Sequence, residues 1–366
     1  MYSVLKPLLF SVDPTTAHKV AMHALASVEH LAPVRAAVRA AYEFRAPELE
    51  VRKMGLVFPT PIGLAAGLDK NAERPRAFAA LGFGHVELGT VTAEAQGPNP
   101  PPNLFRLPPD RALVNRLGFP NEGAAHVAER IAKKRASLVA MGVPVGVSIG
   151  KSRSVPLEPL DGAIADYLTS FRAVAGIADF VVVNVSSPNT KDLRALQAAD
   201  VARPLFAALM NAAKELARPL PILVKIAPDL ADEAIDAVCE AAMSAGLAGV
   251  VATNTTTSRE GLETSASEIE RIGAGGLSGK PLFGRSLTVV KRVRARVGKD
   301  ACVIGVGGID STESALAMLR AGADLVQVYT GFIYRGPALP GSIARGLSKR
   351  MKAERASSLA ELAPIS

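Results

Sequence analysis

The residues best suited to chemistry form the segment Asn184-Val185-Ser186-Ser187-Pro188-Asn189-Thr190, which directly follows the apolar run 180–183. Its hydroxyl and amide side chains can donate and accept hydrogen bonds to a polar ligand. A strand buried on both faces is a continuous run of Val, Ile or Leu, so this cluster is predicted at the carboxyl end of a core strand. Active sites of α/β barrels lie at that end.

The same pattern, a short apolar run followed by Gly, Asn, Thr or Lys, recurs along the chain. The eight candidate strands are 61–67, 85–91, 143–150, 180–186, 222–227, 249–255, 302–308 and 325–331. Segments with helical periodicity separate most of them. Eight strand–helix units predict a (β/α)8 TIM barrel. An open doubly wound sheet is the alternative, but no Gly-x-Gly-x-x-Gly follows the first strand.

Two of the intervening helices have recognisable ends. The segment 229–246 is rich in alanine and ends at Gly246, where a helix is expected to stop. Asp310 followed by Glu313 resembles a capping box, which predicts a helix from there to about Gly322.

Composition agrees with one large globular domain plus an appendage. The chain has 366 residues, of which 49% are hydrophobic, and its two cysteines, Cys239 and Cys302, fall on a predicted helix and a predicted strand. We therefore expect buried reduced thiols, no disulfide framework and no metal-ligand cluster. The sequence contains neither an apolar run long enough to span a bilayer nor a signal-peptide cleavage pattern.

The chain is basic, with a formal net charge of +8. The local run 291–296 is interpreted as the solvated face of a barrel helix, because no aromatic residues accompany it to stack on bases. We expect no nucleic-acid partner. The charge is also compatible with anionic ligands or an anionic membrane surface.

Residues 1–45 precede the first barrel strand and form a separate extension. Pro14 can open a helix, and Leu5, Leu8, Leu9 and Phe10 form a second short apolar patch. Small amphipathic helices of this kind lie in a bilayer interface or cap one end of a barrel. Composition alone does not choose between the two.

Two lysines follow or occupy predicted strands. Lys70 comes after the small residues 65–67, which let a flat ligand approach the backbone closely, and it can bind an anionic group or form an ion pair at the rim. Lys225 lies inside the strand 222–227, where a lone ammonium is costly. It can be an interior ion pair, a Schiff-base nucleophile or a positive charge beside an anionic cofactor.

Loops between the strands add further binding groups. The Pro/Asn-rich connection 93–121 has no predicted secondary structure, and the segment 115–119 favours a ligand-binding loop over a disordered linker. A glycine-rich loop, 275–281, is suited to fold over a ligand. Glycines 307–308 and the segment 329–331 follow the last two strands, where barrels often bind phosphate. The predicted ligand is planar and anionic, and redox chemistry here requires a cofactor.

The sequence resembles the class 2 dihydroorotate dehydrogenases, flavin-mononucleotide enzymes of pyrimidine synthesis that reduce a membrane quinone. The resemblance spans nearly the whole chain and rests on five motifs, which are 65–70 (Ala-Ala-Gly-Leu-Asp-Lys), 105–108 (Phe-Arg-Leu-Pro), 115–119 (Asn-Arg-Leu-Gly-Phe), 184–190 and 275–281. It implies oxidation of (S)-dihydroorotate to orotate. FMN would take a hydride from C6, and Ser187 would take the C5 proton, with Thr190 near Phe119 as a proposed proton relay.

The resemblance also implies the binding residues. Those expected to bind substrate are Lys70, Asn115, Arg116, Leu117, Gly118, Phe119, Asn184, Asn189, Asn254 and Thr255. Those expected to bind FMN are Ala66, Gly67, Leu68, Asp69, Lys70, Thr90, Ser148, Asn184, Lys225, Thr253, Gly279, Gly308, Tyr329 and Thr330. Lys225 would stabilise negative charge on the flavin pyrimidine ring.

The resemblance further implies two parts, an amphipathic helical extension over residues 1–45 for membrane contact and quinone access, and an FMN-binding barrel over 46–366. His18, Arg106 and Tyr329 match positions along the quinone path. We expect a monomer attached peripherally to the cytoplasmic face of the cell membrane.

One departure from the family pattern lies on the third strand, where Ser148 replaces the usual asparagine and makes its contact with FMN less secure. Ser152 likewise stands where asparagine is common. Three alternatives remain: a related FMN barrel that uses a soluble acceptor, a lyase that uses Lys225 as a Schiff base, and a non-catalytic ligand-binding barrel. A serine at position 187, where class 1 relatives carry cysteine, disfavours the first of these.

Overall fold

The computed structural model describes residues 2–190 and 192–363. The strands are β1 (Val51–Lys53), β2 (Leu56–Phe58), β3 (Ile62–Leu64), β4 (His85–Val91), β5 (Leu104–Leu107), β6 (Ala112–Asn115), β7 (Val145–Ile149), β8 (Phe180–Asn184), β9 (Ile222–Ile226), β10 (Gly249–Ala252), β11 (Gly276–Gly279), β12 (Cys302–Val306) and β13 (Leu325–Val328). Short 3-10 helices span Pro47–Leu49, Leu193–Gln197 and Lys280–Leu282.

The α-helices are α1 (Tyr2–Ser11), α2 (Pro14–His30), α3 (Ala32–Tyr42), α4 (Pro75–Ala80), α5 (Ala124–Ala132), α6 (Arg135–Ala140), α7 (Leu160–Ala175), α8 (Ala199–Lys214), α9 (Asp232–Ala245), α10 (Ala266–Ile272), α11 (Phe283–Val297), α12 (Thr312–Arg320), α13 (Thr330–Arg335), α14 (Leu339–Glu354) and α15 (Leu359–Leu362). None of these helices is long and apolar enough to cross a bilayer within the described residues.

Eight parallel strands close into a barrel in the order β10-β12-β13-β3-β4-β7-β8-β9. Every residue of these eight strands is buried, which explains their uninterrupted apolar sequences. The eight strands are those expected from the apolar runs, so the (β/α)8 prediction is confirmed. Seven of them end one to three residues earlier than the run suggested, because the polar residues that follow belong to the mouth of the barrel, whereas β4 ends at Val91 as expected.

A hairpin of β1 and β2 closes the amino end of the barrel. Phe58 is fully buried, and its ring packs 5.5 Å from that of His85 and 6.5 Å from that of Phe180, centroid to centroid. His85 and Phe180 are the first residues of β4 and β8. Lys53 forms an ion pair with Asp324 at 3.3 Å, which fastens the hairpin beside β13.

A second sheet stands over the carboxyl end. β5 and β6 form an antiparallel hairpin, and β11 joins β6 in the order β11-β6-β5. The expectation of a connection without secondary structure over 93–121 was therefore wrong, and part of the glycine-rich segment 275–281 is a strand. β11 and β6 pair across more than 150 residues, so neither segment alone reveals this partner.

Three helices form the N-terminal extension, one more than the expected pair. The Asp13 carboxylate caps α2 by accepting from the N–H groups of Thr15 (2.9 Å) and Thr16 (3.0 Å), and Pro14 opens the helix as predicted. Leu5 and Leu8 on α1 are largely exposed.

One buried carboxylate joins the extension to the barrel. Glu29 of α2 is fully buried and contacts Arg76 at 2.9 Å and Lys134 at 3.3 Å, and it accepts from the N–H of Ala77 at 3.0 Å. Because Ala77 lies in the first turn of α4, the carboxylate also meets the positive end of that helix. Two cations and a helix terminus compensate the buried charge.

Two helix starts differ from the sequence prediction. α9 begins at Asp232 and not at Asp229, which instead accepts hydrogen bonds at the barrel mouth. α12 is capped by Ser311 and Ser314 in a reciprocal capping box, and not by Asp310 and Glu313. Both serine hydroxyls are short enough to reach the opposite backbone N–H.

Candidate active site

A single cavity opens where the barrel strands end, and it encloses about 970 Å³ of empty space, solvent at its mouth included. It brings together most of the residues expected to bind substrate or cofactor. Those lining it are Ala66, Gly67, Lys70, Thr90, Asn115, Leu117, Gly118, Phe119, Asn184, Ser187, Asn189, Lys225, Thr253, Asn254, Thr255, Gly279, Gly308, Tyr329 and Thr330.

Ser187 follows β8 and reaches the cavity with little exposure to solvent. Its Oγ accepts a hydrogen bond from the N–H of Asn189 at 3.2 Å. A hydrogen bond donated to the oxygen stabilises negative charge there, which favours loss of the hydroxyl proton. The Thr190 hydroxyl is buried and has no partner among the described residues.

Side-chain amides form two chains across the mouth. In the first, Asn184 donates from Nδ2 to Thr90 Oγ1 at 3.0 Å, while its Oδ1 accepts from Ser186 and Asn254. In the second, Asn189 donates from Nδ2 to Asn115 Oδ1 at 3.1 Å. Amides fixed in this way present their remaining donors and acceptors in a defined geometry to a flat polar ring.

Lys70 supplies one cation at the edge of the cavity, where its Nζ donates to the Gly67 carbonyl at 2.5 Å. Burial lowers the pKa of Lys70 to about 8, although the neighbouring Asp69 carboxylate opposes this effect. Burial also raises the pKa of Asp69 to about 6, against the effect of the Arg74 and Glu73 N–H groups, which donate to its carboxylate. An anionic ligand would favour the charged form of Lys70.

Lys225 supplies a second cation from inside the barrel. Its side chain is 5% exposed, lines the cavity, and makes no hydrogen bond or ion pair with residues 2–190 or 192–363. A buried ammonium without a partner is costly, so the site fits an electron-rich or anionic group bound beside it. This observation agrees with one of the roles considered for Lys225, a positive charge beside an anionic cofactor.

Three residues expected to bind the cofactor lie behind the cavity wall. Ser148 is fully buried, and its hydroxyl is 2.9 Å from Thr90 Oγ1, so it supports a residue that does line the cavity. Asp69 fixes the loop before α4, and Leu68 belongs to the hydrophobic core.

Arg116 does not line the cavity. Its guanidinium donates to the carbonyls of Ile272 (2.5 Å), Ala274 (3.0 Å) and Pro102 (3.1 Å) and lies over the Phe105 ring. Because successive side chains of an extended segment point in opposite directions, Asn115 faces the cavity and Arg116 faces away. Arg116 therefore lies outside the cavity, and its expected contact with substrate stays a prediction.

The three residues expected along the quinone path lie toward the extension. Tyr329 lines the cavity, and its hydroxyl donates to the Gly67 carbonyl at 3.3 Å. Arg106 lies over the Phe10 ring and donates to the Val12 carbonyl at 2.7 Å. Burial and, to a smaller extent, the charge of Lys70 lower the pKa of His18 to about 4, so this imidazole is neutral at physiological pH.

Two polar cavity residues were missed as individual site residues. Gln327 of β13 lines the cavity and donates from Nε2 to Glu87 Oε2 at 2.7 Å. Ser278 of β11 is 2.8 Å from the Thr330 hydroxyl. Lys225 was singled out because it is a polar residue inside an apolar run. Gln327 interrupts the apolar run 325–328 in the same way, so the same signal was available for it.

The fold defines a class, the (β/α)8 barrel enzymes, whose active sites lie where the strands end. A family model described as Dihydroorotate dehydrogenase matches residues 48–351. The chain belongs to the dihydroorotate dehydrogenase family.

Relatives agree over almost the full length. The chain is 52% identical to a protein of Thermobifida fusca named Dihydroorotate dehydrogenase (quinone), over 97% of this chain and 93% of that protein. It is 48% identical to one of the same name from Rhodococcus erythropolis, over 99% and 98%. The crystal structure of DHODH from Eimeria tenella in complex with ferulenol superposes with a TM-score of 0.86, at 34% identity, covering 96% of this chain and 95% of that chain.

Proposed function

We propose that this protein oxidises (S)-dihydroorotate to orotate in pyrimidine biosynthesis, with FMN as its cofactor and a membrane quinone as the final electron acceptor. The observation that carries the proposal is that Ser187, Lys70 and Lys225, which has no partner among the described residues, line one amide-rich cavity. The names of the Thermobifida fusca and Rhodococcus erythropolis relatives support both the substrate and the acceptor.

The residues present fit FMN. Lys225 offers an uncompensated charge, which suits the electron-rich pyrimidine end of an isoalloxazine ring. Gly307, Gly308 and Thr330 follow the last two barrel strands, where a phosphate is expected to bind. When bound, FMN supplies the redox chemistry by accepting the hydride from C6 of the substrate and passing electrons to the quinone.

The substrate residues divide into a cation and a set of amides. Lys70 would attract the carboxylate of dihydroorotate, whereas Asn115, Asn184, Asn189 and Asn254 would hydrogen-bond its ring carbonyl and N–H groups. Since Asn184 and Asn189 are already oriented by Thr90 and Asn115, little further ordering is needed when the ring binds.

Ser187 would take the proton from C5 as the hydride leaves C6. A neutral serine is a weak base, so its proton must pass onward as it acts. The hydrogen bond from the Asn189 N–H assists by stabilising negative charge on Oγ. Thr190, whose buried hydroxyl lacks a partner among the described residues, is proposed as the next carrier.

Residues 1–45 are proposed as the membrane and quinone-access part, and 46–366 as the catalytic barrel. The exposed apolar side chains of α1, with Val4 at 78% and Leu8 at 68% exposure, support insertion into a bilayer interface. Arg106, which binds the chain between α1 and α2, and Tyr329 would border the quinone path. We propose a monomer bound peripherally to the cytoplasmic face of the cell membrane.

An absorbance spectrum recorded before and after anaerobic addition of dihydroorotate tests the proposal. The purified protein should be yellow, and its flavin band should bleach on addition of substrate and return on addition of a quinone. A protein that is colourless, and remains so after incubation with FMN, would refute the cofactor assignment. Retained colour without bleaching would refute the substrate.

A further inference from the structure

One arginine outside the cavity contacts the segments that follow three neighbouring barrel strands. Arg194 lies in the 3-10 helix Leu193–Gln197. Its Nε donates to the Ser186 carbonyl at 3.3 Å, its Nη1 to Asp229 Oδ2 at 2.8 Å and its Nη2 to the Thr255 carbonyl at 3.1 Å. These acceptors follow β8, β9 and β10, which are adjacent in the barrel.

Asp229 holds the guanidinium in place. Its carboxylate also accepts from the Thr256 hydroxyl and from the N–H of Thr257, at 3.0 Å for the latter. Burial works against the charged form, but the hydrogen bonds from Thr256, Thr257 and Arg194 outweigh it and keep the pKa of Asp229 below its ordinary value. The Asp229 carboxylate therefore remains ionised at neutral pH.

The two carbonyls that Arg194 contacts adjoin the proposed chemistry. Ser186 immediately precedes Ser187, and Thr255 follows Asn254, to whose Oδ1 the Thr255 N–H donates at 2.8 Å. Asn254 in turn donates to Ser186 Oγ at 2.9 Å. One guanidinium thus fixes the backbone of the proposed base and that of a substrate amide relative to each other.

We propose that Arg194, oriented by Asp229, is a positioning residue for proton removal by Ser187, an inference that rests on the proposed function. Arg194 does not line the cavity, so it acts through the backbone. The planar guanidinium reaches three acceptors at once, whereas a lysine ammonium is a single point charge on a flexible chain. A displacement near 1 Å in a reacting group can slow a reaction by about a hundredfold.

The test compares Arg194→Lys and Asp229→Asn with the wild type in the two half-reactions. Anaerobic stopped-flow absorbance should show flavin reduction by dihydroorotate slowed about tenfold to a hundredfold in Arg194→Lys and less in Asp229→Asn. Reoxidation of the reduced enzyme by a quinone should change less than about twofold, since that step does not involve Ser187. Flavin content reports whether each variant has folded. If Arg194→Lys does not fold, the rate of flavin reduction in Asp229→Asn tests the proposal instead.

Isotope effects separate positioning from a general loss of structure. If Ser187 is displaced, removal of the C5 proton becomes slower relative to hydride transfer. The rate with dihydroorotate deuterated at C5 should then fall further in Arg194→Lys than in the wild type, and the effect of deuterium at C6 should shrink. Unchanged isotope effects, or equal slowing of both half-reactions, would overturn the proposal.

Arg135→Lys is a matched control, because Arg135 contacts the amino end of β8, whereas Arg194 contacts the segment that follows β8. Arg135 forms a two-point ion pair with Asp179, which immediately precedes β8. This variant should lose a similar amount of thermal stability and keep its reduction rate within about twofold. A wild type that holds flavin but is not reduced by dihydroorotate would refute the proposed function, and this role with it. An active wild type and an equally fast Arg194→Lys would refute this role alone.

Discussion

At the barrel mouth polar side chains are buried, whereas in the N-terminal extension apolar side chains are exposed. Asn184, Ser187 and Lys225 are each at most 5% exposed, while Val4 and Leu8 are 78% and 68% exposed. Both arrangements oppose the usual distribution of side chains in a globular protein. A polar ligand would complete the first arrangement, and an apolar surface would complete the second.

The largest effect is expected from removing the proposed base. Ser187→Ala should retain bound flavin and lower the rate of its reduction by dihydroorotate by about 10²- to 10⁴-fold, because general-base assistance is lost. Single-turnover absorbance measures this rate. Ser170→Ala, which removes a buried hydroxyl without a partner in the described structure, is the matched control and should react at the wild-type rate. Unchanged reduction in Ser187→Ala would remove Ser187 from the mechanism.

A smaller effect is expected at the extension. Replacing Val4 and Leu8 with serine should weaken binding to phospholipid vesicles about thirtyfold, since each side chain contributes roughly 1 kcal/mol when it enters the apolar interface. Sedimentation with vesicles measures the binding. Replacing Val57 and Val139, which are exposed on the barrel, is the control and should leave binding unchanged. Equal losses of vesicle binding in both double variants would show that the exposed apolar side chains of α1 have no special role in membrane contact.

The smallest effect is the pH dependence of ligand binding at the mouth. Burial lowers the pKa of Lys70 to about 8, so its positive charge is lost as pH rises through that value. Orotate, which carries the same carboxylate as the substrate, should bind about tenfold more weakly at pH 9 than at pH 7. Titration of the flavin spectrum with orotate measures the affinity. Constant affinity up to pH 9.5 would show that Lys70 does not bind the carboxylate.

The barrel strands were predictable because each is buried on both faces, and this leaves an apolar run in the local sequence. The pairing of β11 with β6 was not, because it joins residues more than 150 positions apart. The start of α12 was misplaced by one residue because two neighbouring residues are both suitable caps. Either Asp310 or Ser311 can cap a helix, and only the backbone geometry distinguishes them.

Most of the candidate site was predictable from residues that directly follow apolar runs. Arg116 was included with its whole motif, but it lies outside the cavity because neighbouring side chains of an extended segment face opposite ways. Arg194 gave no signal, since an arginine in a polar loop is common, and its three acceptors are brought together only by the fold. Residues that act by orienting others are the hardest to find from sequence.

The hairpin of β1 and β2, which closes the amino end of the barrel, limits how small molecules can reach the cavity. With Phe58 packed against His85 and Phe180, no passage runs along the barrel axis. Under the proposed function, substrate, product and electron acceptor would all enter and leave at the open rim. The quinone would then approach from the side of the helices that precede the barrel, and the substrate from another side.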